Sequence, residues 1–243
     1  MKTAIIIQAR IDSKRFPKKI LQLIQNKSIL EHVIERCKHS GLPIIVATTK
    51  RKIDNPISII SKNSSVECFR GSTNDVLDRF YQASLFFGIT NIIRITADCP
   101  LIDPVIIKKI FDIYTSSNFD VVRTDEKTFP DGLDVEIFSF STLEKTWKEA
   151  KLQSEREHVT PFMYKKDFQT KEIKNDVNLG SLRWTVDYID DLDFVRKIYE
   201  KFSQSKLFLM NDILKIIQNN PNLKEINNHH SRNEGYQISI KND

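Results

Sequence analysis

Residues 8–19, QARIDSKRFPKK, place five cations (Arg10, Lys14, Arg15, Lys18 and Lys19) and one acid, Asp12, in a single loop directly after the apolar run AIII. Anion binding is the chemistry such a loop offers. A strand-to-helix turn that cradles phosphate usually relies on glycine, so that backbone N–H groups line the ligand. No glycine occurs before Gly41, so here side chains must do the binding. Arginine suits bidentate phosphate contacts, and lysine acts as a point charge. Two carboxylates complement the cations: Asp98 in TADCPLID, after the apolar run NIIRIT, and Asp187, after the short run RWTV. A pair of carboxylates at strand ends suits Mg²⁺, which takes one or two of them together with phosphate oxygens and water. Arg10, Arg15 and Lys19 can then neutralise a triphosphate while Asp98 and Asp187 hold the bridging ion. Positioning and charge stabilisation supply most of the catalysis in such transfers. Residue types alone leave plainer alternatives open: a solvated basic turn, and two aspartates that cap loops.

The elements that must position these groups alternate between strand and helix. Strands are expected at 3–8, 43–48, 66–69, 91–96, 119–123, 134–140, 169–174 and, briefly, 183–186. Helices are expected at 29–39, 75–87, 104–115, 141–149, 154–165 and 190–202, from apolar spacing and from caps such as Gly88. Continuous apolar runs such as PIIVAT are what a buried parallel strand looks like. This alternation implies an α/β fold with a mostly parallel sheet covered on both faces, a Rossmann-like three-layer sandwich. Ligands of such sheets bind beyond the carboxyl ends of the strands, where Arg10–Lys19, Asp98 and Asp187 all fall.

The 243 residues, 40% hydrophobic and 28% charged, suit one large globular domain. Residues 1–218 read as that domain and 219–243 as a polar tail, either a mobile end or an arm on a neighbouring subunit. Three scattered cysteines and five histidines offer neither a disulfide framework nor a zinc pattern. No apolar run approaches the ~20 residues of a membrane helix. The N-terminus reads as a first strand rather than a signal peptide, which places the chain in the cytoplasm. Most of the net charge of +5 sits in the one basic loop, which favours a compact anion over nucleic acid as partner.

The stretch QARIDSKRFPKKIL resembles the opening of the sugar-activating cytidylyltransferases that make CMP-sialic acid and CMP-3-deoxy-manno-octulosonate. A closer resemblance is to the spore coat polysaccharide biosynthesis protein F family, a cytidylyltransferase-like group. It extends through LEHVIERC (30–37), IIVATT (44–49), FRGSTNDVLDRFYQA (69–83), RITADCPLIDP (94–104), FPDGLDVEIFS (129–139), REHVTPF (156–162), LRWTVDYIDDLDFVRKIYE (182–200) and RNEGY (232–236). The resemblance implies a fold of the nucleotide-diphospho-sugar transferase type, CTP as substrate, and often a homodimer. It implies that Arg10, Arg15 and Lys19 embrace the triphosphate, that Asp98 and Asp187 bind Mg²⁺, and that Arg79 lies by the nucleotide. Lys18 departs from the family, which generally has glycine there. For an anionic acceptor, Asp134 of the acidic stretch PDGLDVE, Arg156 at the start of an expected helix and Arg183 beside the Asp187 strand are the residues expected to serve. Two other readings remain: a glycosyltransferase of similar fold, which usually carries a DxD carboxylate pair, and a basic nucleic-acid-binding module. The stretch DLD at 191–193 falls inside an expected helix, against the former.

Overall fold

The computed structural model describes residues 2–13, 15–165, 167–203 and 207–243. Lys14 of the basic loop lies outside them. In chain order the elements are β1 (Thr3–Gln8), a small antiparallel ribbon of β2 (Leu23–Ile24) and β3 (Lys27–Ser28), α1 (Ile29–Lys38), β4 (Ile44–Thr49), α2 (Asn55–Asn63) and β5 (Glu67–Gly71). Then come α3 (Val76–Phe87), β6 (Asn91–Thr96), α4 (Pro104–Thr115), β7 (Val121–Thr124), β8 (Glu136–Ser139), α5 (Phe140–Glu149) and α6 (Gln153–His158). Last are β9 (Thr170–Ile173), α7 (Ile189–Tyr199), α8 (Met210–Asn219) and α9 (Glu234–Ile240).

Seven strands form one sheet in the order β5-β4-β1-β6-β8-β7-β9. All neighbours are parallel except at β8, which runs antiparallel to both β6 and β7. Side chains alternate across a strand, and this alternation builds the three layers. Ile5, Ile7, Val46 and Ile93 pack with Val33 and Ile34 of α1 and Ile107 of α4. Ala4, Ile6, Ile45 and Ile92 pack on the other face with Leu77 and Phe80 of α3 and Leu143 of α5. Each fully buried isoleucine or leucine contributes about 1.5–3 kcal/mol, so the apolar strands themselves set the register. Among the described residues no helix is long and apolar enough to cross a membrane.

The site depends on β1 and β6 being neighbours. Gln8 pairs with Thr96, and the Ala97 N–H donates to Gln8 O at 3.2 Å. The basic loop after β1 and Asp98 after β6 therefore leave the sheet side by side.

Several expectations change. The helix expected at 154–165 ends at His158, where Val159 takes φ 71°. Pro161 accounts for this, because it lacks an N–H and disfavours helix at the residue before it. A separate 3₁₀ turn, Pro161–Tyr164, follows. The strand expected at 183–186 is one parallel bridge, Asp131 to Arg183, and Asp134 precedes β8 rather than lying in it. Helices α2, α8 and α9 come in addition to those expected. The 219–243 segment is no free tail: it turns back through a 3₁₀ turn, Pro221–Glu225, and α9 packs against α6 of its own chain.

Candidate active site

The loop after β1 turns back on itself at Lys18, whose N–H donates to Ile11 O at 3.2 Å. Lys18 sits in the left-handed region, φ 57°, ψ 25°, with an exposed side chain. That conformation costs a non-glycine residue about 1–2 kcal/mol, which is the physical reason to expect glycine at this position. The next residue, Lys19, opens a 3₁₀ turn (Lys19–Leu21) anchored by buried Ile20. Lys18→Gly is therefore expected to leave stability unchanged or raise it by up to about 1 kcal/mol, since glycine's own entropy offsets part of the relief. A denaturant midpoint that falls by more than this would show that the Lys18 side chain itself holds the loop.

Lys19 points between the two carboxylates. Its Nζ lies 2.6 Å from Asp98 Oδ2 and 2.6 Å from Asp187 Oδ1. Burial alone would lower the pKa of this ammonium, but the charges of Asp98 and Asp187 outweigh it and hold the pKa well above its ordinary value. Burial likewise opposes ionisation of Asp187, yet Lys19 and Arg15 keep that carboxyl well below the usual range. Arg15 Nη2 is 2.7 Å from Asp187 Oδ2. Its guanidinium carbon lies 5.5 Å from the centroid of the Tyr188 ring. Both carboxylates are therefore aimed at one cationic centre.

The backbone fixes this convergence. The Val186 N–H donates to Asp98 O at 2.9 Å, and the Trp184 N–H to Asp131 O at 2.7 Å. Gly132, at φ 103°, sits directly under that strip. A Cβ there would meet Thr185 N at 2.6 Å and Trp184 C at 2.7 Å, so glycine lets the Asp187 segment come this close.

Arg10 and Arg79 make a second basic position. Arg10 is about half exposed and reaches Glu157 at 3.3 Å. Arg79 is buried and bonds the carbonyls of Ser72 (2.9 Å) and Thr73 (3.4 Å) rather than a carboxylate. Burial, then the charge of Arg10, pushes its pKa down to about 10. A buried guanidinium whose charge is disfavoured by a neighbouring cation makes a place where an anion is welcome.

The residues expected to take the acceptor each have a partner within the chain. Arg183 is buried, with Nε 2.8 Å from Asp191 Oδ1, Nη1 3.1 Å from Asp131 Oδ2 and Nη2 3.4 Å from Asp187 Oδ2. It braces Asp187 rather than facing solvent. Arg156 Nε binds Asp75 at 2.6 Å, and Nη1 binds the carbonyls of Trp147 and Ala150. That joins the start of α3 to the end of α5. Asp134 pairs with Arg232. The acids of PDGLDVE thus go to three different arginines, with Glu136 bound by Arg94 at 2.5 Å. Burial, then Asp134, pushes the Asp131 carboxyl up to about 7.

Sequence reasoning passed over Asp191, Asn227 and Arg232. Asp191 is fully buried, accepts from the Asp187 and Tyr188 N–H groups at 2.9 and 3.0 Å, and also holds Asn227 Nδ2 at 2.9 Å. Its burial also removes the DLD stretch as a metal-binding DxD pair. The RNEGY stretch was the available signal for Arg232, but nothing in it says that the arm folds back.

A profile of the cytidylyltransferase family matches residues 4–225. An uncharacterized protein of Methanocaldococcus jannaschii is 40% identical over 233 residues, covering 93% of this chain and 95% of its own length. The spore coat polysaccharide biosynthesis protein SpsF of Bacillus subtilis is 25% identical over 233 residues, covering 89% and 94%. The solved structure of a cytidylyltransferase from Leptospira borgpetersenii superposes with a TM-score of 0.89 at 34% identity, covering 95% of this chain and 98% of that one.

Proposed function

Because the chain belongs to the cytidylyltransferase family, and so is a nucleotidyltransferase, we propose that it transfers CMP from CTP to an anionic small acceptor with the help of Mg²⁺. The observation that carries this reading is the convergence of two carboxylates on one ammonium, 2.6 Å from each. A carboxylate pair that already gathers a cation has the all-oxygen donor set that Mg²⁺ prefers. Asp98 and Asp187 would hold the ion, and its charge would offset that of the triphosphate.

The chain's own residues do the rest. An acceptor oxygen attacks the α-phosphorus of CTP, the bond from that phosphorus to the bridging oxygen breaks, and pyrophosphate leaves with the electron pair. Arg10, Arg15 and Lys19 stabilise the charge that grows on the leaving group, with Lys19 passing from the carboxylates to phosphate oxygens. Arg79, a buried cation within reach of the charge of Arg10, would lie by the nucleotide. A phosphorylated acceptor attacks through an oxygen that is already anionic and needs no general base, whereas an acidic sugar attacking through a hydroxyl also gives up that hydroxyl's proton to solvent. Asp134 and Arg156 would meet such an acceptor by giving up their present partners, Arg232 and Asp75. The name of the Bacillus subtilis relative supports a role in making surface polysaccharide or a related glycoconjugate.

Pyrophosphate release with each of the four nucleoside triphosphates and Mg²⁺, across a panel of acidic sugars and phosphorylated small molecules, tests this. Release is expected with CTP and with one acceptor class. Release with another nucleotide in preference to CTP, or no binding of CTP in calorimetry, would overturn it.

A further inference from the structure

Two segments distant in sequence bring three metal-ligating groups together beside the first turn of α7. The Nε2 atoms of His229 and His230 lie 3.0 and 2.9 Å from one oxygen, Oδ2 of Asp190, and the three ligand atoms fall within 4.8 Å of one another. The proposed transfer uses none of them. Their surroundings orient them all the same. Asp190 Oδ1 accepts from the Asp191 N–H at 3.0 Å and also lies 3.0 Å from His230 Nε2, so the carboxylate is oriented with both oxygens toward His230 and Oδ2 shared with His229. The His230 ring stacks on Tyr188 with centroids 3.9 Å apart and planes 6° apart. Tyr188 is held in turn, its hydroxyl donating to Glu234 at 2.6 Å.

We propose that Asp190, His229 and His230 bind a divalent transition-metal ion of the zinc type, at a site separate from the Asp98–Asp187 pair. Two imidazoles with one carboxylate suit Zn²⁺, Ni²⁺ or Cu²⁺, whereas Mg²⁺ and Ca²⁺ take oxygen ligands. Zinc bonds of about 2.1 Å in tetrahedral geometry put neighbouring ligand atoms about 3.4 Å apart, so the three groups need only small outward shifts to admit the ion. One coordination position stays open to water. The ion ties the C-terminal arm to α7. That arm supplies Asn227, bonded to Arg183 O and Asp191, and Arg232, bonded to Asp134. The same arm's Ser231 O accepts from Arg183 Nη1 at 3.2 Å. Metal binding therefore steadies the brace behind Asp187 without touching the reacting groups.

Calorimetry of the untagged chain with Zn²⁺ alone tests the proposal, alongside visible absorption with Co²⁺ alone. One Zn²⁺ per chain is expected, with Kd weakened about tenfold or more in His229→Ala and in His230→Ala. The melting temperature of the original chain should rise with Zn²⁺, and that rise should vanish in both variants. Co²⁺ should give the visible bands of a four- or five-coordinate nitrogen–oxygen site, absent in Asp190→Asn. Asp98→Asn should bind Zn²⁺ unchanged. His229 is well exposed, so its replacement leaves the fold intact, and circular dichroism verifies this. No Zn²⁺ binding by the original chain, binding that survives both histidine variants, or binding lost in Asp98→Asn would each overturn the proposal.

Discussion

Asp98→Asn is expected to lower turnover about 10³-fold, equivalent to about 4 kcal/mol of transition-state stabilisation, while the protein melts close to its original temperature. Asparagine keeps the size and one acceptor oxygen of aspartate but removes the charge. Lys19 keeps Asp187 as a partner at 2.6 Å, so no buried charge is left uncompensated. The change therefore falls on cation binding and phosphate positioning rather than on the fold. Pyrophosphate release at saturating CTP and Mg²⁺ measures the first part, and a thermal melt the second. Activity within about tenfold of the original at saturating Mg²⁺ would remove Asp98 from the metal site. A collapse of the melting temperature would make its role structural instead.

Arg183→Met is expected to cost about 3–5 kcal/mol of stability near pH 7, the usual loss when one member of a buried ionic group is removed. Arg183 stands among Asp131, Asp187 and Asp191, and Asp191 has no exposed surface. Methionine fills much of the volume and none of the charge. Asp131, pushed up to about 7 by burial and then by Asp134, is held down in part by Arg183, so without the guanidinium it is easier still to protonate in the folded chain. The variant's deficit should therefore shrink as the pH falls from above 7, where protonation of Asp131 relieves the repulsion. Activity should fall too, because Asp187 loses its brace. Denaturant midpoints at several pH values check this. A deficit below about 1 kcal/mol, or one independent of pH, would show that Arg183 acts through packing alone.

Parts of this molecule were legible from patterns of residues. AIII, PIIVAT and NIIRIT announced β1, β4 and β6, three adjacent strands of the sheet, because strands covered on both faces are largely apolar. Pro161 carried the information that α6 stops early, although the helical spacing around it suggested otherwise. Lys18 was visible as a departure in type, while its left-handed backbone required the turn itself. The 219–243 segment misled for a different reason. Its low apolar content suggested a free tail, yet Asn227 and Arg232 attach it through hydrogen bonds to Arg183, Asp191, Asp134 and the carbonyls of Glu126 and Phe129. Polar groups buried with partners hold a segment as firmly as apolar ones do.

The candidate site divides along the same line. The basic loop and the two strand-end aspartates follow from residue type and from their position after apolar runs, and so by itself the amino-acid order determined the sheet, its layers and the edge where a ligand meets it. Which acid faces which cation was decided only by the tertiary structure. Lys19 meets carboxylates 79 and 168 residues away, and Asp131, Asp134 and Glu136, neighbours in sequence, go to Arg183, Arg232 and Arg94. Such pairings depend on strand neighbours, on the Val186-to-Asp98 hydrogen bond and on the close approach at Gly132. Ion pairs form at separations of a few ångströms, a scale that no pattern of residue types specifies until the strands are in place.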